Sequence, residues 1–269
     1  MNPVAFIASV SLFFLIGQIL CLEAGYHLGR KRIGQEGEKA HAGLGATEAA
    51  VFSLLGLILA FTFSGAQARF DNLLHVTVEE ANAIGSAYLR VDLMPAADQP
   101  AMRALLRQYA DSRIIALNDL TEGAAASGNA AAGNATTATH LADSVRLQEQ
   151  IWKHAEGACR NYQQHPCSML VMPALNEMID MSATHNAALG THLPGVVLFL
   201  LSSLALAGAL LAGYAMATRG RRSVPQMLLF SLTVSLTVYT VLDLEYPRVG
   251  LVRIHSAEHV MQEVRDSMK

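Results

Sequence analysis

The sequence predicts an all-α membrane protein with four transmembrane helices, arranged as two hairpins that extend into a soluble helical domain. Four long apolar stretches, with no strand-like alternation between them, lead to this prediction. Of the 269 residues, 52% are hydrophobic and only 15% are charged, against about 25% charged residues in an average soluble domain. Because the charge deficit is concentrated in the four stretches, these stretches determine the class of protein.

Each of the four stretches has the length that a membrane-spanning helix needs, which is about 20 apolar residues. The spans are predicted near residues 4–22, 51–68, 193–217 and 225–242. The first does not fit a cleaved signal peptide, in which basic residues precede the apolar region. Here Arg30, Lys31 and Arg32 follow it, so a retained helix is expected.

The spans divide the chain into four parts. Residues 1–68 form the first hairpin, 69–190 a soluble helical domain, 191–243 the second hairpin, and 244–269 an external tail with a short helix. The second span is predicted to continue into the soluble domain as far as Pro95. Segment 122–140, rich in Gly, Ala, Asn and Thr, is predicted to be a flexible loop because it lacks the bulk to build a core.

Basic residues predict the orientation, because short loops rich in Lys and Arg stay in the cytoplasm. The N-terminus, the central domain and the C-terminal tail are therefore expected on the opposite side. The basic residues are Arg30, Lys31, Arg32 and Lys39 after the first span, and Arg219, Arg221 and Arg222 between the third and fourth.

Cys159 and Cys167 lie eight positions apart in the soluble domain. Disulfides persist in oxidising compartments. The pair is expected to form a disulfide if this domain lies outside the cytoplasm; the alternative is two unpaired thiols.

The second and third spans carry small residues four positions apart, a spacing that lets helix backbones approach closely. In the second span Leu57 and Phe61 form the adjacent stripe, with Ser53 one turn earlier. Two interpretations are open. The small residues pack within one four-helix subunit, or they pack between subunits while Leu57 and Phe61 surround an axis and gate a pore by dewetting. The small residues are Gly56, Ala60, Ser64 and Ala68, and then Ala205, Ala209, Gly213 and Ala217.

Three acidic residues, Glu23, Glu48 and Asp243, lie near the ends of the spans. Ionisable groups at membrane depth are candidates for functional sites, but at helix ends their side chains can reach water. An interfacial role is therefore favoured over an ion site.

Two interpretations also remain open for the acidic pair Glu79 and Glu80. They form a polar site with Asn82, or they pair with Arg90 and Arg113 between helices. The pairing is favoured.

No catalytic residues, metal ligands or cofactors are predicted. The sequence contains no H-E-x-x-H, G-x-S-x-G or G-x-x-x-x-G-K-[ST] motif, and its ten histidines are scattered. The net charge of −3 provides no basic excess for binding nucleic acid. An enzyme is not expected.

Residues 54–95, LLGLILAFTFSGAQARFDNLLHVTVEEANAIGSAYLRVDLMP, resemble the signature of a bacterial membrane-protein family often called bestrophin-like. The later segment LDLEYPRVGLVRI, residues 242–254, is similar to that family's ending. The resemblance covers nearly the whole chain, and VEEANAIGSAYLR is its most specific part. It implies a multi-pass protein of the bacterial inner membrane, and with the basic loops it implies a periplasmic central domain and periplasmic termini.

A more distant resemblance connects the chain to bestrophins, which are pentameric ion channels with four membrane helices per subunit. It rests on Gly56, the run 61–68, Arg69 and Asp71. Bestrophins line their pore neck with apolar residues four apart on the second helix, which implies that Ser53, Leu57 and Phe61 line a pore. Three features depart from bestrophins. The aromatic pair that follows the arginine there is reduced to Phe70 alone, and no acidic cluster resembles their calcium clasp. Their large helical region is cytoplasmic, whereas the basic residues place it outside the cytoplasm here.

The first hypothesis is therefore a homo-oligomeric ion channel, a pentamer by resemblance, whose partners are the lipid bilayer and permeant ions. The alternative is a non-conducting membrane sensor or scaffold with a periplasmic helical domain. A ring with a continuous axial path would favour the channel, and a monomer or dimer without one would favour the scaffold.

Overall fold

The computed structural model describes residues 3–36, 44–126, 130–161, 167–191, 193–218, 223–245 and 255–269, and all regular structure in these ranges is helical. The helices are α1 (Pro3–Glu36), α2 (Leu44–Arg90), α3 (Gln99–Ala126), α4 (Ala130–Asn161), α5 (Met172–Leu189), α6 (Gly195–Thr218), α7 (Val224–Glu245) and α8 (His255–Ser267). A 3₁₀ turn, Val91–Leu93, follows α2, and a π-helical turn, Cys167–Val171, precedes α5. Four of the predicted loop residues, Lys39, Arg219, Arg221 and Arg222, lie outside the described ranges.

Four helical segments of the described chain are long and apolar enough to cross a membrane. They are Ile7–Arg32, Gly45–Leu93, Gly195–Ala217 and Val224–Glu245. Each overlaps one predicted span, so the prediction of four transmembrane helices is confirmed.

The second of these helices is much longer than a bilayer requires. At 1.5 Å per residue, the 47 residues of α2 extend about 70 Å, and the hydrocarbon core of a bilayer is about 30 Å thick. The 3₁₀ turn and Pro95 follow the helix. Gln99 Nε2 donates a hydrogen bond to the carbonyl oxygen of Met94, the residue after the turn, at 2.9 Å.

The segment predicted to be a flexible loop, residues 122–140, is helical over most of its length. Helix α3 continues to Ala126 and α4 begins at Ala130. The segment was expected to lack structure because it cannot form a core. However, alanine has the highest intrinsic helix propensity of all residues, and six of the seven residues from Gly123 to Ala126 and from Ala130 to Ala132 are alanine.

The chain divides into two compact units. The larger part of the first unit is Arg69–Thr191 and Pro247–Lys269. Its core contains apolar side chains from α2, α3, α4, α5 and α8. In α3 the buried residues Met102, Leu106, Tyr109 and Leu117 recur at helical spacing, and α8 packs on the same helix through an ion pair between Arg265 Nε and Asp111 Oδ1 at 2.5 Å.

The second unit comprises Val4–Ala68 and His192–Tyr246, and it contains the transmembrane segments. Helices α1 and α6 cross here at very short range. A Cβ placed on Gly25 would lie 1.9 Å from the carbonyl oxygen of Leu210, and one on Gly213 would lie 1.9 Å from that of Leu22. Only glycine permits this approach, because any side chain would overlap the facing backbone.

Candidate functional site

The face of α2 predicted to line a pore is exposed in the single subunit. Leu57 is 52% exposed and Phe61 69%, and Ser53 is exposed one turn earlier. The opposite face, with Leu55 and Ala66, is buried. Packing within one subunit therefore does not cover the Ser53–Leu57–Phe61 stripe.

The two small-residue stripes differ in their surroundings. The four residues of the third span are all buried, and Gly213 forms the crossing with α1. The four of the second span are all exposed, and a Cβ on Gly56 would meet nothing within 4 Å. Packing inside the subunit accounts for the stripe of Ala205, Ala209, Gly213 and Ala217. It does not account for Gly56, Ala60, Ser64 and Ala68.

The exposed faces of the other membrane helices have a different composition. They carry large apolar side chains, of which Phe13 in α1, Phe199 in α6 and Leu229 in α7 are among the most exposed. Such side chains suit contact with lipid tails. The membrane part of α2 also exposes large side chains, namely Leu54, Leu57, Phe61 and Phe63. Beside Leu57 and Phe61, however, runs an exposed stripe of small residues, a composition typical of faces on which helix backbones approach closely.

Two of the acidic residues at the span ends, Glu23 and Glu48, are half-buried, and His27 Nε2 lies 4.0 Å from a carboxylate oxygen of Glu23. Asp243 differs from the expectation that it reaches water, since it is only 2% exposed and hydrogen-bonds Tyr239 one turn earlier. Glu245, which no sequence pattern indicates, is also buried, and its carboxylate accepts a hydrogen bond from the backbone N–H of Leu193. This contact connects the end of α7 to the residues just before α6.

A disulfide joins Cys159 and Cys167, with Cα atoms 5.5 Å apart. This separation lies within the usual range for a bridge. The bridge connects the end of α4 to the π-helical turn before α5, and both residues are buried in the core of the first unit.

A buried charged network lies in the first unit. Arg113 of α3 donates to Glu80 of α2 through two hydrogen bonds, from Nε to Oε1 at 2.6 Å and from Nη2 to Oε2 at 3.0 Å. Both side chains are fully buried. Of the two interpretations of the acidic pair, the structure shows the pairing between helices for Glu80. Glu79 and Asn82 lie instead on the exposed side of α2.

Further residues extend the network: Arg113 Nη1 donates to Asn186 Oδ1 of α5 at 3.2 Å, and His185 and Thr77 add two more contacts. Nδ1 of His185 in α5 lies 2.5 Å from Glu80 Oε2, and Nε2 lies 3.3 Å from the hydroxyl of Thr77. The network therefore joins α2, α3 and α5. None of these three residues was identified from the sequence, because a single histidine among ten scattered ones carries no distinctive spacing.

The network determines the charge states of its members. Burial raises the pKa of Glu80, but the hydrogen bond from His185 and the positive charge of Arg113 outweigh it, so the pKa lies below the ordinary value. Burial lowers the pKa of Arg113, but the charge and the hydrogen bonds of Glu80 together outweigh burial and raise the pKa. For Tyr109, burial and the nearby charge of Glu80 both raise the pKa. The stable state is thus an ionised, fully paired Glu80–Arg113 contact.

Among the described residues, no group of three or more His, Cys, Asp or Glu side chains is placed to hold a metal ion.

Comparison with known structures shows the fold. Two crystal structures of a bacterial bestrophin homolog from Klebsiella pneumoniae, each carrying one substitution, are similar to the chain. The first has a TM-score of 0.61 at 15% identity over 95% of this chain and 99% of that one. The second has a TM-score of 0.62 at 14% identity over 97% and 98%.

The sequence was also compared with curated proteins and with models of protein families. No curated protein matches the sequence. A family model described as the bestrophin-like domain matches residues 19–258, which is most of the chain. The chain therefore belongs to the bestrophin-like family.

Proposed function

We propose that the protein is the subunit of an oligomeric ion channel of the bacterial inner membrane, with a pore lined by α2. Leu57 and Phe61 form the constriction, and Ser53 lies beside it. The observation that carries the proposal is the exposed face of α2, which none of the described segments of the same subunit covers. Family membership and the shared fold of the bestrophin homolog support a channel.

Helix α2 has the composition of a face between subunits. Small residues at Gly56, Ala60, Ser64 and Ala68 allow a neighbouring helix to approach closely, and this contact leaves the adjacent Leu57 and Phe61 directed toward a common axis. A ring of apolar side chains at such an axis controls conduction by dewetting. We propose a pentamer, in line with the bestrophin resemblance.

Shortening both side chains tests the pore directly. In planar bilayers, the Leu57→Ala, Phe61→Ala double variant is expected to conduct more than the wild type, because a wider and less apolar constriction stays hydrated. The matched control is Leu200→Ala, Phe199→Ala on α6, where the same residue types have almost the same exposure, 51% and 73%. The control is expected to conduct like the wild type.

The channel proposal fails if intact oligomers of the wild type and of the α2 variant both carry no current. Particle images in detergent give a second test. Rotational symmetry with a continuous axial path supports the channel, and a monomer or a dimer without such a path favours the sensor or scaffold.

We propose that the helical unit and both termini face the periplasm. Two features support this orientation. Arg30, Lys31 and Arg32 lie at the end of α1 opposite the N-terminus, where short basic loops are expected to be cytoplasmic. The disulfide Cys159–Cys167 is typical of an oxidising compartment.

Cysteine labelling of intact cells tests the orientation in a background with Cys21→Ser. An impermeant maleimide is expected to label Ala142→Cys, an exposed position on α4, without permeabilisation. Lys31→Cys, equally exposed at the end of α1, is expected to react only after the membrane is opened. The reverse pattern would show that the helical unit is cytoplasmic.

A further inference from the structure

Four buried polar side chains lie along α1 and α7 inside the second unit. They are Ser11 and Gln18 of α1 and Ser231 and Ser235 of α7, here called the polar seam. Gln18 and Ser231 are fully buried and the other two nearly so. The three hydroxyl oxygens and both polar atoms of the Gln18 amide have no hydrogen-bond partner within the described residues.

Two apolar clusters, each with residues from α1 and α7, lie on either side of Gln18 and Ser231 along their helices. Phe14 of α1 packs against a cluster that contains Val234 of α7, and Leu22 of α1 belongs to a cluster that contains Met227 of α7. Gln18 lies one turn from Phe14 and one turn from Leu22. Ser231 lies one turn from Met227 and one turn from Val234. The two clusters therefore follow each other in opposite order along α1 and α7, as expected for helices that run in opposite directions.

Helix α6 contributes small residues to both clusters. Ala205 belongs to the first of the two clusters and Ala209 to the second. The amide of Gln18 and the hydroxyl of Ser231 therefore lie between two apolar layers, to which α6 contributes these alanine methyl groups and, farther along the helix, Leu201 and Met216.

The three serines differ from four other hydroxyl residues of the membrane helices. Thr62, Ser203, Thr237 and Thr240 each donate to the carbonyl of the residue four positions earlier, at 2.6 to 3.0 Å. This local bond satisfies a hydroxyl group inside a helix. Ser11, Ser231 and Ser235 do not make it, and their oxygens are directed elsewhere.

We propose that each subunit binds ordered water along the polar seam between α1 and α7. Burial inside one subunit prevents lipid headgroups and neighbouring copies from reaching these atoms. The ligand must both donate to Gln18 Oε1 and accept from Gln18 Nε2. A monovalent cation would satisfy the oxygens and leave the amide N–H groups without an acceptor, whereas water does both. In a bilayer, where no bulk solvent reaches the helices, a buried polar group needs such a partner.

The seam is separate from the exposed face of α2. The inference concerns the interior of a single subunit and does not depend on conduction. It places ordered water inside the membrane helices of each subunit, apart from any water in a pore.

X-ray footprinting of the intact oligomer in lipid nanodiscs tests the inference. Radiolysis of a bound water oxidises the side chains beside it, even where bulk solvent has no access. Met227 is buried one turn from Ser231, and Met178 is buried in the first unit far from the seam in sequence. Met227 is expected to be oxidised at a rate closer to that of the exposed Met169 than to that of Met178.

The matched variant is Gln18→Leu, Ser231→Ala, Ser235→Ala, which keeps side-chain volume nearly constant and removes the polar atoms. Oxidation of Met227 is expected to be lost, while Met169 and Met178 keep their wild-type rates. If the triple variant does not form the wild-type oligomer, Gln18→Leu and Ser231→Ala are compared singly, and each is expected to slow the oxidation of Met227.

Two results would overturn the inference. One is a wild-type Met227 as protected as Met178. The other is oxidation of Met227 that is unchanged in the variants, since the label would then come from water outside the seam.

Discussion

Replacing Arg113 with methionine is expected to lower the free energy of unfolding by about 3–5 kcal/mol, the usual cost of removing one partner from a buried ion pair. The variant leaves the fully buried carboxylate of Glu80 without its two guanidinium hydrogen bonds. The loss is measured by urea unfolding of the full protein in detergent. The fluorescence of Trp152, the only tryptophan, reports on the first unit because its side chain packs against that core.

The matched control is Arg103→Met. Arg103 is half-buried, forms an ion pair with the exposed Asp92, and lies over the ring of Tyr88 at 5.4 Å. Each of these partly exposed contacts contributes at most about 1 kcal/mol. The double variant Glu80→Leu, Arg113→Met is expected to recover much of the loss, because apolar residues can replace a buried pair at little cost. Equal losses for Arg113→Met and Arg103→Met would contradict the role assigned to the network.

The same network predicts acid sensitivity. Burial raises the pKa of Glu80, but the contacts with His185 and Arg113 lower it by more than burial raises it. The pKa in the folded protein therefore lies below the pKa in the unfolded chain. Stability from this group is therefore complete above the unfolded pKa, about 4.3, and is lost as the pH falls through the lower folded pKa. The urea midpoint reported by Trp152 is expected to fall below about pH 4 in the wild type. It is expected to depend less on pH in Glu80→Gln.

The second large effect is expected where α1 crosses α6. The double variant Gly25→Ala, Gly213→Ala places two methyl groups 1.9 Å from facing carbonyl oxygens, so the helices must separate. Overpacking usually costs about 1–3 kcal/mol per site and occasionally more, and backbone atoms cannot rotate away as a side chain can. The melting temperature of the variant is expected to be much lower than that of the wild type. It is measured as the loss of folded protein in size-exclusion chromatography after heating.

Gly195→Ala is the control for this variant. It lies at the start of α6, and its Cβ would meet nothing within 4 Å. It is expected to melt like the wild type. If the Gly25, Gly213 variant also melts like the wild type, the close crossing does not hold α1 and α6 together.

Some elements were determined by the sequence alone. The apolar stretches near 4–22, 51–68, 193–217 and 225–242 predict the four membrane helices, because a bilayer requires length and apolarity that no other element of the chain has. The continuation of the second span was also predictable, since no proline occurs between Val51 and Pro95. Segment 122–140 was predicted wrongly, because a composition unable to form a core can still form a helix.

Other features were decided only by the tertiary structure. Helical spacing shows which residues share a face, but it does not show what covers that face. The two small-residue stripes look alike in sequence, yet that of α6 is buried against its own subunit and that of α2 is exposed. In the same way, the sequence offered both Arg90 and Arg113 as ion-pair partners for Glu80. Only the packing of α3 on α2 shows that Arg113 is the partner.

The polar seam shows why helical spacing does not reveal what covers a helix face. Ser11 and Gln18 lie seven positions apart, and Ser231 and Ser235 lie four apart, so each pair is on one side of its helix. More than 200 residues separate the two pairs, and their meeting depends on how α1 and α7 pack. The sequence determined which segments enter the membrane, because that depends on local composition. The tertiary structure decided which polar and small residues lie inside a subunit and which remain exposed, because burial depends on residues far apart in the chain.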